Sequence, residues 1–335
     1  MVSSMEGHIL ANSAILVVGG AGYIGSHMVK LLQHAGYTPV VADDLSAGHR
    51  EAVHTAQLHV GDIGDAAFVD ALLGEVKPAA VMHFASFIQV GESVADPGKY
   101  YRNNVGATQV LLDAMRAHAI MRFIFSSTAA IFGDPVYVPI DEAHPRQPIN
   151  PYGRSKWMVE QMLEDYDTAY GLKSVCLRYF NAAGADPDGE LGECHEPETH
   201  LIPLLLQVAS GRRPHITVYG DDYTTADGTC IRDYVHIVDL CNAHLLALEQ
   251  LLAGGESGRY NLGNGNGFSV SEVIDAVRRV TGQEIAAVHG ERRAGDPPVL
   301  VADARHARAM LQWAPCYPDL DTIVAHAWNW ERQQH

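Results

Sequence analysis

Short runs of apolar, often β-branched residues alternate with helical patterns along the first half of the chain. The apolar runs predict strands over Ala14–Val18, Pro39–Ala42, Leu58–Val60, Ala79–Phe84, Phe123–Ser126 and Ser174–Arg178. Amphipathic spacing predicts helices between them, over Tyr23–Ala35, Ala66–Leu73, Tyr101–Ala117 and Pro151–Tyr170. This alternation predicts an α/β fold with a doubly wound parallel sheet of the Rossmann type.

The pattern changes after about Asn181, where longer stretches rich in Gly, Pro and Asp interrupt the alternation. We therefore predict a first domain over 13–182 and a second, smaller α/β domain over 183–335. A helical pattern over Tyr234–Leu252 indicates that 234–262 can return to the first domain. Residues Met1–Asn12 have neither a strand nor a helix period, so no element is predicted there.

A glycine-rich turn follows the first predicted strand and precedes a helix, with glycine at Gly19, Gly22 and Gly25. Glycines at this spacing permit a tight turn, close approach of a pyrophosphate to the backbone, and close packing of helix on sheet. Asp43 ends the second strand, where a carboxylate accepts hydrogen bonds from ribose hydroxyls and repels a 2′-phosphate. The motif predicts an NAD site; the alternatives are a plain turn and a solvated loop acid.

Other residues end strands at the same edge of the predicted sheet. Asp44 follows Asp43, and the nearest arginine able to receive a 2′-phosphate is Arg50. We expect Asp62 to reach the adenine and Phe84 and Ala85 to line the path of the diphosphate, because ligands of doubly wound sheets bind at the carboxyl ends of the strands.

The segment from Asn150 combines a helix start with a candidate catalytic pair. Asn150 is the predicted N-cap, and Tyr152 and Lys156 are four residues apart on one face. An ammonium about 5 Å away stabilises a phenolate by roughly 3 kcal/mol of Coulomb energy, which lowers the tyrosine pKa from its ordinary value of about 10. Tyr152 is therefore predicted to be a general base. Thr128, at a strand end, can relay the proton of a reacting alcohol. The alternative is a surface Tyr–Lys pair.

Charge and cysteine content narrow the possible partners and compartment. The formal net charge is -17, which disfavours binding to nucleic acid or to an anionic membrane surface. Five cysteines without a Cys-x-x-Cys pair are typical of a reducing compartment, and no apolar run is long enough to span a membrane, so we expect a cytoplasmic protein. The eighteen histidines form no recognised zinc pattern. Cys194–His195 is therefore expected to be part of an ordinary loop, and no metal site is predicted.

Several ordered motifs resemble those of the extended short-chain dehydrogenase/reductase family, from about Ile15 to Trp330. They are GGAGYIGS from Gly19, HFASFIQVGES from His83, Asn103-Asn104-Val105, FIFSSTAAIFG from Phe123, the helix from Tyr152 to Gln161, RYFNA from Arg178, RDYVHIVD from Arg232, Asn261-Leu262-Gly263 and RRAGD from Arg292. The chain is most similar to the nucleotide-sugar 4-epimerases of that family. The resemblance implies reversible 4-epimerisation of UDP-glucose and UDP-galactose, through a 4-keto sugar, with NAD as the cofactor.

The resemblance also assigns residues to the two ligands. Beyond the positions given above, it implies cofactor contacts at Tyr23, Ile24, Ile63, Asn103, Ser126 and Tyr179, together with Tyr152 and Lys156. For the UDP-sugar it implies Thr128, Tyr152, Asn181, His200, Leu201, Ile216, Tyr219, Arg232, Arg293, Asp296 and Leu300. Arg232 and Arg293 would clamp the diphosphate, Asp296 would accept from the uridine ribose, and the stretch from Ile216 to Tyr219 would hold the uracil.

Some positions differ from the family pattern. Ile88 stands where many relatives have Lys, Ala47 and Gly48 replace an Asn-Ser pair, and His200 replaces Asn. Ala129 and Ala130 follow Thr128, where nucleotide-sugar dehydratases have an Asp-Glu pair, so elimination lacks its acid and base. A 4-epimerase for UDP-N-acetylhexosamine, UDP-uronate or UDP-pentose stays open, as does an NAD-sensing regulator on the same fold.

The resemblance further implies a homodimer formed by the helices at Tyr101–Ala117 and Pro151–Tyr170. Apolar positions that one subunit need not cover lie on both helices: Val105, Val110, Leu111, Leu112, Met158, Val159 and Met162.

Overall fold

The computed structural model describes residues 12–293 and 296–334, which fall into two compact units. The first unit comprises 12–131, Asn150–Arg178 and Cys241–Tyr260. The second comprises Phe132–Ile149, Tyr179–Leu240 and the described residues from 261 onward. The chain therefore passes between the two units several times.

Strands are short and are numbered in chain order. They are β1 (Ala14–Val18), β2 (Thr38–Asp43), β3 (Gln57–Val60), β4 (Ala80–His83), β5 (Arg122–Thr128), β6 (Lys173–Tyr179), β7 (Asn181–Ala183), β8 (Ile216–Tyr219), β9 (Ile231–His236), β10 (Gly258–Leu262), β11 (Gly267–Ser269), β12 (Ala287–Gly290) and β13 (Val299–Leu300). Within the described residues, seven of them form one sheet in the order β10-β6-β5-β4-β1-β2-β3. The order β3-β2-β1-β4-β5-β6 is that of a doubly wound dinucleotide-binding fold, so the predicted fold class is confirmed.

Parallel pairing explains why the strands of this sheet are apolar throughout. β1 pairs in parallel with both β2 and β4, and β4 pairs in parallel with β5. Helices that cover such a sheet lie over Tyr23–His34, Ala66–Val76, Val90–Ala95, Pro97–Tyr100, Thr108–Ala117 and Pro151–Tyr170, with a π-helical segment at Tyr101–Ala107 and 3₁₀ turns at Arg50–Val53 and Ala129–Ile131. One core cluster contains Leu16, Val81 and Phe123, each fully buried.

The second unit is a smaller α/β assembly. β9 pairs with β7, β11 and β13, and β8 pairs in parallel with β12. Its helices lie over Leu201–Ala209, Val270–Thr281, Arg305–Met310 and Leu320–Glu331. Leu205, Val273 and Ile323 are fully buried in its core.

Two predicted elements differ from the observed ones. The predicted helix Tyr234–Leu252 is a strand up to His236 and a helix over Ile237–Leu252, because pairing of β9 with three neighbours buries Tyr234 and Val235. The predicted helix Tyr101–Ala117 has a π-helical first half. The chain also leaves the first unit between Phe132 and Ile149, a segment that the sequence analysis assigned to the first domain.

No helix among the described residues is long and apolar enough to cross a bilayer.

Candidate active site

The glycine turn lies directly after β1 and is held against the end of β4. The amides of Phe84 and Ala85 donate to the carbonyl of Val18, at 2.8 and 3.2 Å. Gly19 has a φ of +78°, and a Cβ atom there would lie 2.4 Å from the Ala85 nitrogen. A Cβ atom at Gly25 would lie 2.1 Å from the Gly19 carbonyl oxygen. Both positions therefore require glycine for steric reasons.

The strand order reverses between β1 and β4, and this reversal marks the crevice where doubly wound sheets bind ligands. The helix Tyr23–His34 begins there, with Gly22 as an N-cap that has no side chain to satisfy the first amides. A Cβ atom at Gly22 would meet only the Gly19 carbonyl, at 3.5 Å, so this side of the turn is open. The first amides of a helix, next to open space, fit the pyrophosphate of a dinucleotide.

Asp43 accepts hydrogen bonds from the glycine turn and from the residues after β2. Its Oδ2 atom accepts from the Ala21 amide and its Oδ1 atom from the Leu45 amide, both at 2.9 Å. The side chain is buried, and burial raises the pKa of this carboxyl above its ordinary value. Each carboxylate oxygen keeps a second lone pair, so the predicted bond to a ribose hydroxyl is compatible with these contacts.

The remaining predicted adenosine contacts lie around this edge. Asp44 is exposed and accepts from the amide and hydroxyl of Ser46, and Asp62 accepts from the Gly64 amide at 2.7 Å. Ile63 is buried. Gly48, one of the departures from the family pattern, lies against the glycine turn, because a Cβ atom there would be 2.8 Å from the Ala21 Cβ.

The helix Pro151–Tyr170 positions Tyr152 and Lys156. Asn150 caps it by accepting from the Gly153 amide at 2.8 Å, as predicted. The π-helical segment also contacts the start of this helix, because Asn104 Nδ2 donates to Ser155 Oγ at 3.0 Å. The cap and this cross-link fix the first turn of the helix, and with it the position of Tyr152.

Lys156 is almost completely buried, and its ammonium points at the ends of β4 and β5. Nζ donates to Ser86 Oγ at 2.7 Å and to the Ser126 carbonyl at 2.8 Å, and it lies 4.9 Å from the Phe125 ring centroid. Burial lowers the pKa of this ammonium to about 7. The sequence analysis did not single out Ser86, although it lies within the recognised motif that begins at His83.

Thr128 lies close enough to the Tyr152 hydroxyl to affect its pKa, so the structure brings two of the predicted catalytic residues together. The Thr128 Oγ1 atom accepts from the Ala130 amide at 3.1 Å. Burial raises the pKa of the Tyr152 hydroxyl, and the neighbouring Thr128 hydroxyl opposes this rise. In the protein alone burial is the largest effect on this pKa, because removing both groups from water disfavours phenolate and ammonium alike, and the lowering expected from Lys156 together with a nicotinamide ring stays a prediction.

A buried ionic group behind the catalytic residues was missed by the sequence analysis. Ser127 Oγ donates to Glu160 Oε1 at 2.5 Å, and Arg178 donates to both Glu160 oxygens, with Nη2 to Oε2 at 2.6 Å. Both charged side chains are at most 1% exposed. Glu160 stands one helical turn after Lys156, so the face shared with Tyr152 and Lys156 could have indicated it.

The other predicted cofactor residues in the first unit occupy structural positions near the glycine turn and the π-helical segment. Tyr23 is buried at the first position of its helix, the Ile24 carbonyl accepts from Cys241, and Asn103 Nδ2 donates to Asn104 Oδ1 at 3.0 Å.

In the second unit, Arg232 and Asp296 form a close ion pair. Arg232 also donates from Nη1 to the Ile231 carbonyl at 2.8 Å, and Leu300 on β13 pairs with Arg232 on β9. Three residues that the resemblance assigns to the UDP-sugar therefore lie side by side. The guanidinium of Arg232 and the carboxylate of Asp296 neutralise each other.

The predicted uracil and sugar residues also lie in the second unit. The Arg293 guanidinium stacks 4.0 Å from the Tyr219 ring centroid, and Tyr219 is 40% exposed while Ile216 on the same strand is buried. Asn181 Nδ2 donates to the Asp233 carbonyl at 2.9 Å. Tyr179 ends β6, and Leu201 begins the helix Leu201–Ala209.

His200 lies in a cluster of four titratable side chains with Glu193, His195 and Glu198. Burial by itself lowers the pKa of both imidazoles, but the two carboxylates outweigh it and raise the pKa of each ring above its ordinary value. This cluster was not predicted from the sequence.

Comparison with known proteins places these features in a family. The model of the NAD dependent epimerase/dehydratase family matches residues 15–263. The UDP-glucose 4-epimerase of Halalkalibacterium halodurans is 52% identical over 320 residues, which cover 96% of each chain.

Solved structures agree with the sequence comparison. The crystal structure of UDP-glucose 4-epimerase from Brucella ovis in complex with NAD is 53% identical, with a TM-score of 0.92, over 94% of this chain and 97% of that one. The UDP-glucose 4-epimerase from Bifidobacterium longum in complex with NAD+ and UDP is 37% identical, with a TM-score of 0.91, over 96% of this chain and 98% of that one. Since the family match alone covers most of the residues, this chain belongs to the NAD dependent epimerase/dehydratase family.

Proposed function

We propose that this protein is an NAD-dependent UDP-sugar 4-epimerase that interconverts UDP-glucose and UDP-galactose. The observation that carries the proposal is the buried ammonium of Lys156, on the helix that also carries Tyr152, which bonds to Ser86 and Ser126, with Thr128 next to the Tyr152 hydroxyl. The naming of close relatives as UDP-glucose 4-epimerases supports it further.

The first unit supplies the residues that would hold NAD. The amides after Gly22 and the open side of the glycine turn would receive the pyrophosphate, and Asp43 would accept from the adenosine ribose. Lys156, which donates to Ser86 and to the Ser126 carbonyl, has a third N–H for a nicotinamide ribose hydroxyl. When bound there, the cofactor would supply a reversible hydride acceptor for C4 of the sugar and a positive ring that favours ionisation of a nearby phenol.

Tyr152 and Thr128 would move the proton of the C4 hydroxyl. Thr128 can accept from that hydroxyl while its own hydrogen is directed to Tyr152, and Tyr152 takes the proton as the alcohol is oxidised. Lys156 stabilises the resulting phenolate-type charge electrostatically, since both side chains are shielded from water. The same groups return the proton when the ketone is reduced, so no net oxidation occurs.

The second unit supplies the residues that would bind UDP. A diphosphate would compete with Asp296 for Arg232, and the released carboxylate would then accept from the uridine ribose. Arg293, stacked on Tyr219, would contribute the second positive charge. Tyr219 and Ile216 would hold the uracil, and Asn181, His200, Leu201 and Leu300 remain proposed sugar or diphosphate contacts.

A regulator that only senses NAD is the rival of another class. Such a protein does not require the buried Lys156 or a threonine next to Tyr152, because neither contributes to recognition of the adenosine half of NAD. The geometry therefore favours an enzyme.

The test is to incubate the purified protein with UDP-galactose, without added NAD, and to separate the nucleotide sugars by chromatography. We expect UDP-glucose to appear until both sugars reach equilibrium, with no accumulation of NADH. A protein that forms no UDP-glucose even when NAD is added would contradict the proposal. Formation of NADH in proportion to product would indicate a net dehydrogenase instead.

We also propose that the protein is cytoplasmic and homodimeric. No disulfide joins the five cysteines, all of them among the described residues, as is usual in a reducing compartment; they are Cys176, Cys194, Cys230, Cys241 and Cys316. Of the apolar positions proposed for the interface, Met158 is 41% exposed, whereas Leu111, Leu112 and Val159 are buried in the core of their own unit. The interface would therefore rest on Met158 and on the partly buried Val105, Val110 and Met162.

A further inference from the structure

We propose that Glu193, His195, Glu198 and His200 form a binding site for one divalent transition-metal ion, and that Zn²⁺ is the natural occupant. The four side chains come from eight consecutive residues, 193–200, immediately before the helix Leu201–Ala209. One ligand atom from each of them lies within 4.8 Å of all the others.

The donor atoms lie at separations that one small ion can bridge. Nδ1 of His195 lies 3.0 Å from Glu193 Oε1 and 3.8 Å from Glu198 Oε2. Nδ1 of His200 lies 2.5 Å from Glu193 Oε1 and 3.3 Å from Oε1, the second oxygen of Glu198. Zinc bonds of about 2.0–2.2 Å place tetrahedral ligands about 3.3–3.6 Å apart, so Glu193 Oε1 would move away from both imidazoles when the ion binds.

The kind and charge of the donors select the ion. Two imidazole nitrogens and two carboxylate oxygens suit Zn²⁺ and its first-row neighbours better than Ca²⁺ or Mg²⁺, which prefer oxygen only. The carboxylates of Glu193 and Glu198 are 6% and 5% exposed, so two negative charges lie together away from water. A divalent cation would neutralise both while binding two neutral imidazoles.

The Nδ1 atom of His200 is an independent observation that points to a ligand. It is buried and, among the described residues, it has no hydrogen-bond partner of acceptable geometry, although both carboxylates lie nearby. A ring nitrogen close to two carboxylates but not directed at either suits a shared central ion better than a hydrogen bond.

The backbone around the cluster holds the ligands in place. Trp330 Nε1 donates to the Glu193 carbonyl at 3.1 Å, and the amides of Thr199 and His200 donate to Glu198 Oε1 at 2.7 and 2.8 Å. The other oxygen of Glu198 is then left for the ion. Contacts of this kind, outside the ligand shell, orient the ligands of known metal sites.

Four protein ligands leave no position for a substrate, so the site is structural and not catalytic, and the His200 side chain would then bind the ion in place of the UDP-sugar contact proposed for it above. The ion would tie the irregular segment before His200 to the start of the helix Leu201–Ala209. The sequence analysis expected no metal here because the spacing Glu-x-His-x-x-Glu-x-His follows no recognised zinc pattern. Only the folded loop brings the four ligands together.

The test measures zinc in the full-length, tag-free protein after removal of metal by a chelator and dialysis against ZnCl₂. We expect one zinc per chain by mass spectrometry of the metal, and an intense visible absorption of tetrahedral type when Co²⁺ replaces it. The variants His195→Gln and His200→Gln should weaken zinc binding by at least about 100-fold. Glu196→Gln, an exposed glutamate of the same segment, is the matched control and should retain one zinc.

The unmodified protein decides the question even if a variant fails to fold. A chain that binds no zinc and no Co²⁺ at a stoichiometry near one overturns the proposal, as does a folded His200→Gln protein with unchanged affinity. Binding that Glu196→Gln also abolishes would place the ion elsewhere on the segment. None of these readouts uses turnover, so they stand or fall separately from the epimerase assignment.

Discussion

Burial governs the protonation of Tyr152 and Lys156. It lowers the pKa of the lysine to about 7 and raises that of the tyrosine, so neither group is strongly charged in the protein alone. In the proposed reaction, the positively charged ring of bound NAD would supply the charge that favours the phenolate of Tyr152. Activation of the base would then depend on the presence of the cofactor.

Replacement of Tyr152 by Phe removes the proposed base with little change in volume. We expect kcat to fall by about 10²- to 10⁴-fold, the usual contribution of general acid–base catalysis, while binding of UDP and NAD is retained. Steady-state kinetics with UDP-galactose and calorimetric titration with UDP provide the measurement. Tyr170→Phe, at the exposed end of the same helix, is the control and should keep full activity. Turnover of Tyr152→Phe at the unmodified rate would remove Tyr152 from the mechanism.

His83 makes the protein sensitive to acid. It is completely buried at the end of β4, its Nε2 atom lies 3.2 Å from Thr108 Oγ1, and burial together with the charge of Lys156 lowers its pKa to about 3. In the unfolded chain the ring titrates near 6.5. Between these values only the unfolded state binds the proton, so the stability present above pH 6.5 is lost as the pH falls toward 3.

We therefore expect His83→Gln to flatten the acid side of the stability curve. One proton corresponds to about 1.4 kcal/mol of unfolding free energy per pH unit below pH 6.5. Urea unfolding at pH 6.5, 5.5 and 4.5 measures the slope, which should be smaller in His83→Gln by about that amount. His34→Gln, at an exposed position, should leave the slope unchanged. Equal slopes in all three proteins would mean that His83 does not control the acid response.

Leu300 is a candidate determinant of substrate breadth. It is partly exposed on β13, where it pairs with Arg232 on β9. If it borders the sugar, Leu300→Tyr overfills the pocket, which costs about 1 to 3 kcal/mol and thus reduces kcat/KM for UDP-N-acetylglucosamine by about 5- to 150-fold. Steady-state kinetics compare kcat/KM of Leu300→Tyr and of the unmodified protein on the N-acetylated and the non-acetylated UDP-hexoses. An equal loss on both substrates would show that Leu300 does not select between them.

At the scale of elements, the π-helical segment Tyr101–Ala107 links the residues after β4 to the helix that carries Tyr152. It contains Asn104, whose side chain accepts from the Phe87 amide, donates to the Phe87 carbonyl and donates to Ser155. These bonds join the residues after β4 to the first turn of the helix that carries Tyr152. Wider turns of this kind often occur at functional sites.

The junction of β1 with the helix Tyr23–His34 depends on Gly25. A Cβ atom there would overlap the Gly19 carbonyl at 2.1 Å, so Gly25→Ala must push the helix away from the turn that would bind the pyrophosphate. We expect a loss of about 1 to 3 kcal/mol in unfolding free energy and at least tenfold weaker NAD binding. Chemical unfolding and fluorescence titration measure the two quantities. Gly91→Ala, in a helix with no atom within 4 Å of the new Cβ, is the control and should not destabilise the protein. A fully stable, NAD-binding Gly25→Ala protein would contradict this account of the turn.

At the scale of the whole molecule, the proposed catalytic residues and the proposed diphosphate-binding residues belong to different units. The first contains the glycine turn, Thr128, Tyr152 and Lys156, and the second contains Arg232 and Asp296. Because the chain passes between the units several times, neither corresponds to one continuous stretch of sequence. The predicted boundary at 182/183, with a return of 234–262 to the first domain, therefore describes the organisation only approximately, because 132–149 also belongs to the second unit.

The proposed homodimer predicts a mass in solution of about twice 36.4 kDa. Light scattering at micromolar concentration measures it directly. Met158→Lys, which places a charge on the exposed part of the proposed interface, should shift the mass toward that of one chain. Val136→Lys is the control, since Val136 is 66% exposed but lies on neither proposed helix. A monomeric unmodified protein would contradict the proposal.

The sequence determined the parts of this protein that depend on local pattern. Periodicity placed most strands and helices of the first unit, the glycine spacing placed the turn after β1, and Asn150 fixed the start of the helix that carries Tyr152 and Lys156. These features follow from sterics and hydrogen bonding among neighbouring residues, so they can be predicted without knowledge of the fold.

Only the tertiary structure decided features that depend on distant partners or on burial. Tyr234 belongs to a strand because β9 has neighbours on both sides, and Phe132–Ile149 groups with the second unit through contacts made far along the chain. The pKa of Tyr152 rises because folding removes it from water, and the Ser127–Glu160–Arg178 group and the Glu193–His200 cluster form only in the folded chain. Desolvation and the convergence of side chains are properties of the folded molecule, and residue spacing alone does not specify them.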